Sequence, residues 1–228
     1  MIEPQDPQAI SQAVLKRALS TARLEAYQLS PDEPLKDVLA RYRWNVALSM
    51  SLYPILHLLE VALRNNLHGA ITGLCGTAAW YDLVPAMLTD REMRSVNEAK
   101  DELRKQNKPV EPNRIVAELN FGFWTSLMSS AYERTFWPKI IIQAFPAMRN
   151  RERTRSNIAD RLKVLRQLRN RVSHHEPICR MTNLVQIHDE LLATISWLAP
   201  KLHQLLPIGE SFSEIYARGS AAYEIQIS

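Results

Sequence analysis

From Glu33 to about Gly73, apolar residues recur at spacings of three and four, and Trp44, Leu48, Leu52, Ile55, Leu59 and Leu63 are available to a core. That period excludes a strand, in which side chains alternate faces at every second residue. The middle of the stretch is apolar nearly all round, as a helix enclosed by others must be. Its longest run without a formal charge, Trp44 to Leu59, has 16 residues and contains Asn45, Ser49, Ser51, Pro54 and His57. Such a run is too short and too polar to span a bilayer, so it reads as a buried central helix. Pro54 is expected to kink this helix or to divide it in two.

The rest of the chain repeats the helical signal with almost no alternation of period two, and the fold class expected is all-α. Asp6 and Pro7 suit the N-cap and first position of a helix over residues 7 to 19. A short helix follows from Ser20, with Leu24 and Tyr27 on one face, before a break at Ser30, Pro31 and Asp32. Gly73 and Gly76 end the central helix, and a loop at residues 78 to 85 can pack Trp80 onto the bundle. Thr89 or Asp90 caps a charged surface helix to about Gln106, whose apolar stripe of Met93, Val96 and Leu103 is thin. Asn113 is placed to cap a single helix over residues 114 to 130, within which Gly122 suggests a close helix approach. Trp137 and Pro138 open a short helix to Phe145, and a long one runs from Asn183 to about Leu206. A short helix and a loose end are expected from Pro207 onward.

With 46% hydrophobic residues in 228, the chain can bury one sizeable core, so residues 1 to 228 read as a single domain with its core at about 20 to 206. Cys75 and Cys179 stand far apart without a CxxC spacing, which suits a reducing cytoplasm rather than a disulfide framework or a structural zinc site. The N-terminal residues carry acids and prolines where a secretory signal needs a basic patch and an apolar run.

The most informative stretch is residues 161 to 177, RLKVLRQLRNRVSHHEP. Ile158, Leu162, Leu165, Leu168 and Val172 form one stripe, and Pro177 should end helical geometry near His175 or Glu176. Arg169 falls within that stripe, where a permanent charge requires a buried carboxylate, a bound anion or a partner subunit. Asn170 and His174, four apart, share an edge. Between Arg149 and Arg171 stand nine basic residues, among them Arg161, Lys163, Arg166 and Arg171, against Glu152 and Asp160, so the window carries +7 and the rest of the chain -3. A field concentrated in this way draws polyanions such as RNA; a solvated, arginine-rich helix face is the alternative.

At Arg169, Asn170 and His174, followed by His175, the sequence resembles the Abi-like abortive-infection proteins, whose HEPN domains carry an arginine, a polar residue and a histidine after four to six positions. Residues 56 to 71, LHLLEVALRNNLHGAI, and 116 to 127, VAELNFGFWTSL, are similar to the family's other segments and occur in the same order, so the resemblance spans roughly residues 20 to 205. It implies a HEPN-like helical bundle with additional helices, a homodimer, and a metal-independent endoribonuclease acting as a toxin or in phage defence. A controlling antitoxin or regulatory RNA is a further partner that such a role admits.

RNA supplies its own nucleophile in the 2'-OH, so cleavage needs a base, an acid and a cation for the phosphate, and no cofactor. His174 is the residue for proton transfer, because imidazole titrates near neutral pH and a helix C-terminus favours its cation. Arg169 would hold the phosphate through forked donors, and Asn170 would orient the imidazole or donate to the same phosphate. His175, about 100° away around the helix, is a second base or acid; capping of the helix end is the alternative role for both histidines. Glu60, Arg64 and Asn65 are candidates to line the site, although Glu60 and Arg64 at i and i+4 read most simply as an intrahelical ion pair. Arg64 and His68 fall short of the motif's spacing, and His188, Asp189 and Glu190 are adjacent residues with poor metal-ligand geometry on a helix. No GxGxxG, Walker A or GxSxG pattern occurs. A non-catalytic RNA-binding or regulatory module is the competing reading.

Overall fold

The computed structural model describes residues 12–83, 88–205 and 211–225, and among them there is no strand. The α-helices are α1 (Gln12–Leu19), α2 (Thr21–Glu25), α3 (Leu35–Cys75), α4 (Trp80–Leu83), α5 (Asp90–Lys105), α6 (Pro112–Glu118), α7 (Phe121–Ser126), α8 (Trp137–Ala144), α9 (Arg155–Ser173), α10 (Leu184–Leu198) and α11 (Phe212–Arg218). The fold is all-α, as the apolar spacing requires. Asp6, Pro7, Leu206 and Pro207 lie outside the described residues. The chain groups into two compact units, one drawn from the described residues of Met1–Pro54, Asn170–Gln186 and Pro207–Ser228, the other from those of Ile55–Arg169 and Ile187–Leu206.

In the first unit, Leu24, Tyr27, Val38 and Leu39 form a buried cluster, with Leu15, Leu19, Leu35, Tyr42, Cys179 and Ile225 packed against it. Ser20 caps α2 by accepting from the Arg23 N–H at 3.3 Å. Arg41 pairs with Glu33 at 2.7 Å and also donates to the Tyr27 carbonyl. Asn45 is buried and fully used. Its Nδ2 donates to Tyr27 Oη at 3.0 Å and to the Glu176 carbonyl at 3.3 Å, while its Oδ1 accepts from the Cys179 N–H at 3.0 Å. Burial pushes the Tyr27 hydroxyl up to about 12 and the Cys179 thiol up to about 11. A capping box at Ser211 and Glu214 starts α11, and Trp44 Nε1 donates to the Ile215 carbonyl at 2.9 Å.

The second unit is built around Trp80, which is fully buried with Phe123, Trp124 and Phe136 at ring-centroid distances of 6.4 to 6.5 Å. The stretch expected as a loop therefore includes the single turn of α4. Asn66 Nδ2 donates to the carbonyls of Ala144 and Leu198 at 3.0 and 2.9 Å, which satisfies the last turns of α8 and α10. The buried carboxylate of Glu92 accepts from Tyr132 Oη at 2.8 Å and from the Thr89 hydroxyl. Burial would raise its pKa, but these donors outweigh that and hold it below the usual carboxylate range. So α5 buries Glu92 and Ala99 beside Val96 and Leu103, a broader stripe than its sequence suggests.

Several expectations are corrected. Of the two outcomes expected at Pro54, a division is excluded, because Pro54 lies inside α3 and the helix runs on for 41 residues. An interior proline costs about 3 kcal/mol, and the burial of Leu48, Leu52, Leu56, Leu59 and Leu63 on both sides of it offsets that cost. The single helix expected over residues 114 to 130 is two, α6 and α7, because Asn120 takes an extended conformation and caps α7, its Oδ1 accepting from the Phe123 N–H at 3.0 Å. Asn113 is not a cap, since Glu111 occupies that place with Pro112 at the first turn. Gly122 answers to this same cap rather than to a neighbouring helix: a Cβ there would meet Asn120 Oδ1 at 2.9 Å. Finally, α10 stops at Leu198, before Pro200, and Leu202–Leu205 forms a separate 3-10 turn. By length and apolarity alone α3 could cross a membrane. Only a third of its most apolar window is buried: Leu48, Leu52, Leu59, Leu63, Leu67 and Ile71 are buried while Val46, Met50 and Tyr53 are exposed, so the helix expected to be enclosed is covered along one side.

Candidate functional site

Helix α9 carries the motif, and its stripe of Ile158, Leu162, Leu165, Leu168 and Val172 is buried as the spacing predicts. Its end is a complete Schellman motif. The His175 N–H donates to the Val172 carbonyl at 3.2 Å and the Glu176 N–H to the Arg171 carbonyl at 2.8 Å, with His175 left-handed at φ 57°. The chain thus reverses at His175, two residues before Pro177, in close agreement with the expected end. Glycine or asparagine is the usual occupant of this position; a histidine there is strained. Arg23 donates to the His175 carbonyl, and Tyr27 Oη lies 3.4 Å from the same oxygen, which pins the reversal. His174 is the last residue whose N–H keeps the helical bond, to the Asn170 carbonyl at 2.8 Å. Asn170, His174 and His175 are all exposed.

Arg169 is half-buried, and of the three ways to offset its charge the structure supplies a carboxylate: its Nη2 lies 3.4 Å from Glu60 Oε2. Glu60 therefore pairs with Arg169 instead of Arg64, correcting the intrahelical pair expected from spacing. Arg64 Nε lies 3.3 Å from Asn65 Oδ1. His68 is a structural residue, since its Nδ1 accepts from Trp80 Nε1 at 3.0 Å and burial lowers its pKa.

The arginines of the basic window are of two kinds. Arg161 lies 3.5 Å from Glu190 and stacks over Trp197 at 5.0 Å, Arg166 reaches Thr125 Oγ1 at 3.4 Å, and Arg155 donates to the Met128 carbonyl at 3.0 Å. Arg153 donates to the Met148 carbonyl. Lys163 and Arg171 are exposed, Arg171 with Glu176 at 3.7 Å. Among the described residues, no group of three or more His, Cys, Asp or Glu is arranged to hold a metal ion. Sequence reasoning missed Asn45, Asn66 and Glu92, whose one available signal was a polar side chain placed on a buried helical face.

No curated protein and no solved structure matches the chain. The family model described as Abi-like protein matches residues 17–180. The match takes in α2 to α9 and all three stretches singled out above, and ends before α10. It covers well over half of the 228 residues, and the chain belongs to the Abi-like protein family.

Proposed function

We propose that this protein is a metal-independent endoribonuclease of the HEPN type acting in abortive infection or as a toxin. The observation that carries this reading is the arginine of α9. Glu60 engages only one nitrogen of the half-exposed Arg169 guanidinium, so the remaining donors can take a phosphate. An exposed histidine, His174, closes the same helix. In the proposed reaction the 2'-OH attacks the adjacent phosphorus, a 2',3'-cyclic phosphate forms and the 5'-oxygen leaves. Arg169 stabilises the charge on the phosphate oxygens, Asn170 orients the imidazole or donates to the phosphate, and His174 transfers the proton. Membership in the Abi-like family supports the defence role. A second copy of the chain would supply a second imidazole, so that acid and base need not be one residue.

Incubation of the purified protein with mixed RNAs in EDTA is the test. Cleavage is expected, and Arg169→Ala and His174→Ala should each abolish it with helical content intact. The double variant should be hardly worse than either single one, because the residues act as a unit. Tight binding without cleavage would transfer the protein to the binding-module reading, and a fully active His174→Ala would remove the assignment.

A further inference from the structure

Beside the end of α9 lies a groove of about 310 Å³, lined by Tyr27, Tyr42, Asn45, Val46, Ser49, Met50, Tyr53, Val172 and His175. Most of its wall is aromatic or aliphatic. Met50 and Tyr53 stand 70% and 65% exposed, one turn apart along α3. The floor is rigid: Tyr27 packs edge-on against Tyr42 at 5.3 Å, and Asn45 ties the Tyr27 hydroxyl to backbone at Glu176 and Cys179. The far wall is His175, held in the left-handed conformation by contacts to its own carbonyl. Strain retained in this way is commoner at binding sites than elsewhere.

We infer that this groove receives one nucleobase of a bound RNA, stacked on Tyr53. The inference rests on the ribonuclease reading and deepens it. His174 adjoins the groove wall at His175, their Cα atoms one peptide or about 3.8 Å apart, so a base next to a phosphate held by His174 is a neighbour of the groove. Charge agrees, because the exposed Arg171 directly precedes Val172 on the helix. An aromatic face beside a cationic helix is how single strands are held without regard to sequence. A second copy of the chain is the weaker occupant. Val46, Met50 and Tyr53 are three exposed apolar side chains, against the roughly 20–30 residues a side of a stable interface.

The experiment compares an RNA oligonucleotide with a set in which one position at a time is abasic, using His174→Ala protein in EDTA so that binding is read apart from cleavage. One abasic position should weaken binding about tenfold or more, and Tyr53→Ala should weaken the intact RNA to the same degree while no longer sensing that position. Tyr53→Phe, which keeps the ring, should bind as the parent does. In otherwise wild-type protein, Tyr53→Ala should raise KM and leave kcat largely in place. Cleaving protein that is indifferent to every abasic position, or to Tyr53→Ala, would overturn the groove and leave the ribonuclease reading standing. An abasic effect without cleavage by wild type would keep the groove and remove the chemistry. Dissociation of an oligomer by Tyr53→Ala in light scattering would assign the groove to a second copy and overturn the inference, as would a wild-type protein that neither binds nor cleaves RNA.

Discussion

His175 sits where the backbone favours glycine, at φ 57°. A left-handed non-glycine residue costs about 1–2 kcal/mol, and glycine returns part of that through its greater freedom in the unfolded chain. His175→Gly should therefore stabilise the protein by about 0.5–1 kcal/mol, read as a higher denaturation midpoint; a loss of stability would mean that the side chain, rather than the reversal, carries the contact. Glu60 and Arg169 are 29% and 33% exposed. At that exposure their pairing is worth at most about 1 kcal/mol, so Glu60→Gln should barely move the midpoint. A large loss would make the pair a structural element and weaken the case for a guanidinium available to phosphate. His68 gives the pH dependence. Its pKa is lowered by burial, so the neutral form is the folded form, and its contribution is present above 6.5 and lost as pH falls below it. His68→Asn keeps an acceptor for the Trp80 N–H and should flatten the decline of melting temperature on the acid side of pH 6.5. An unchanged slope would place the titration elsewhere.

At the level of the helix, Asn120 and Gly122 act as one device. Gly122→Ala forces the cap away, and an N-cap is worth about 1 kcal/mol. Asn120→Ala loses the same cap directly. In the double variant the added methyl no longer meets Asn120 Oδ1, so its destabilisation should be clearly less than the sum of the two single ones in denaturant titrations. Additive losses would show that Gly122 answers to something else. This device also shows where sequence reading stops. The positions of α9 and α5 were legible because each has an apolar stripe and a terminal signal. The break between α6 and α7 was not, because Leu119, Phe121, Phe123 and Trp124 continue a helical hydrophobic pattern across the extended residues. Pro54 left two outcomes open, a kink or a division, and burial along the helix removed the second. In the site, the order of Arg169, Asn170 and His174 could be read directly, whereas the partner of Arg169 could not. Glu60 lies 109 residues away in sequence, and nothing local distinguishes it from a rim carboxylate.

For the molecule as a whole, proposals about assembly and charge yield the remaining expectations. If two copies of Arg169 and His174 serve one groove, adding Arg169→Ala chains to wild type should depress cleavage beyond simple dilution, and light scattering at micromolar concentration should return a dimer. A strictly monomeric particle that still cleaves would sink the composite site. Charge makes a separate and quantitative claim. The window from Arg149 to Arg171 holds nine basic residues, but Arg153, Arg155, Arg161 and Arg166 are committed to carbonyls, a carboxylate, a tryptophan face or a hydroxyl. Arg149, Arg151, Lys163 and Arg171 face outward, Arg151 and Arg171 in exposed pairs with Glu152 and Glu176 weak enough for a phosphate to displace, and Arg169 joins them in the proposed reaction. Single-stranded RNA binding should then lose affinity with a slope of about -3.5 in log K against log salt, for about five phosphate contacts at ~0.7 each. A slope near about -6 would mean that the committed arginines also release to meet phosphate. A slope close to zero would remove this helix as the face that holds RNA.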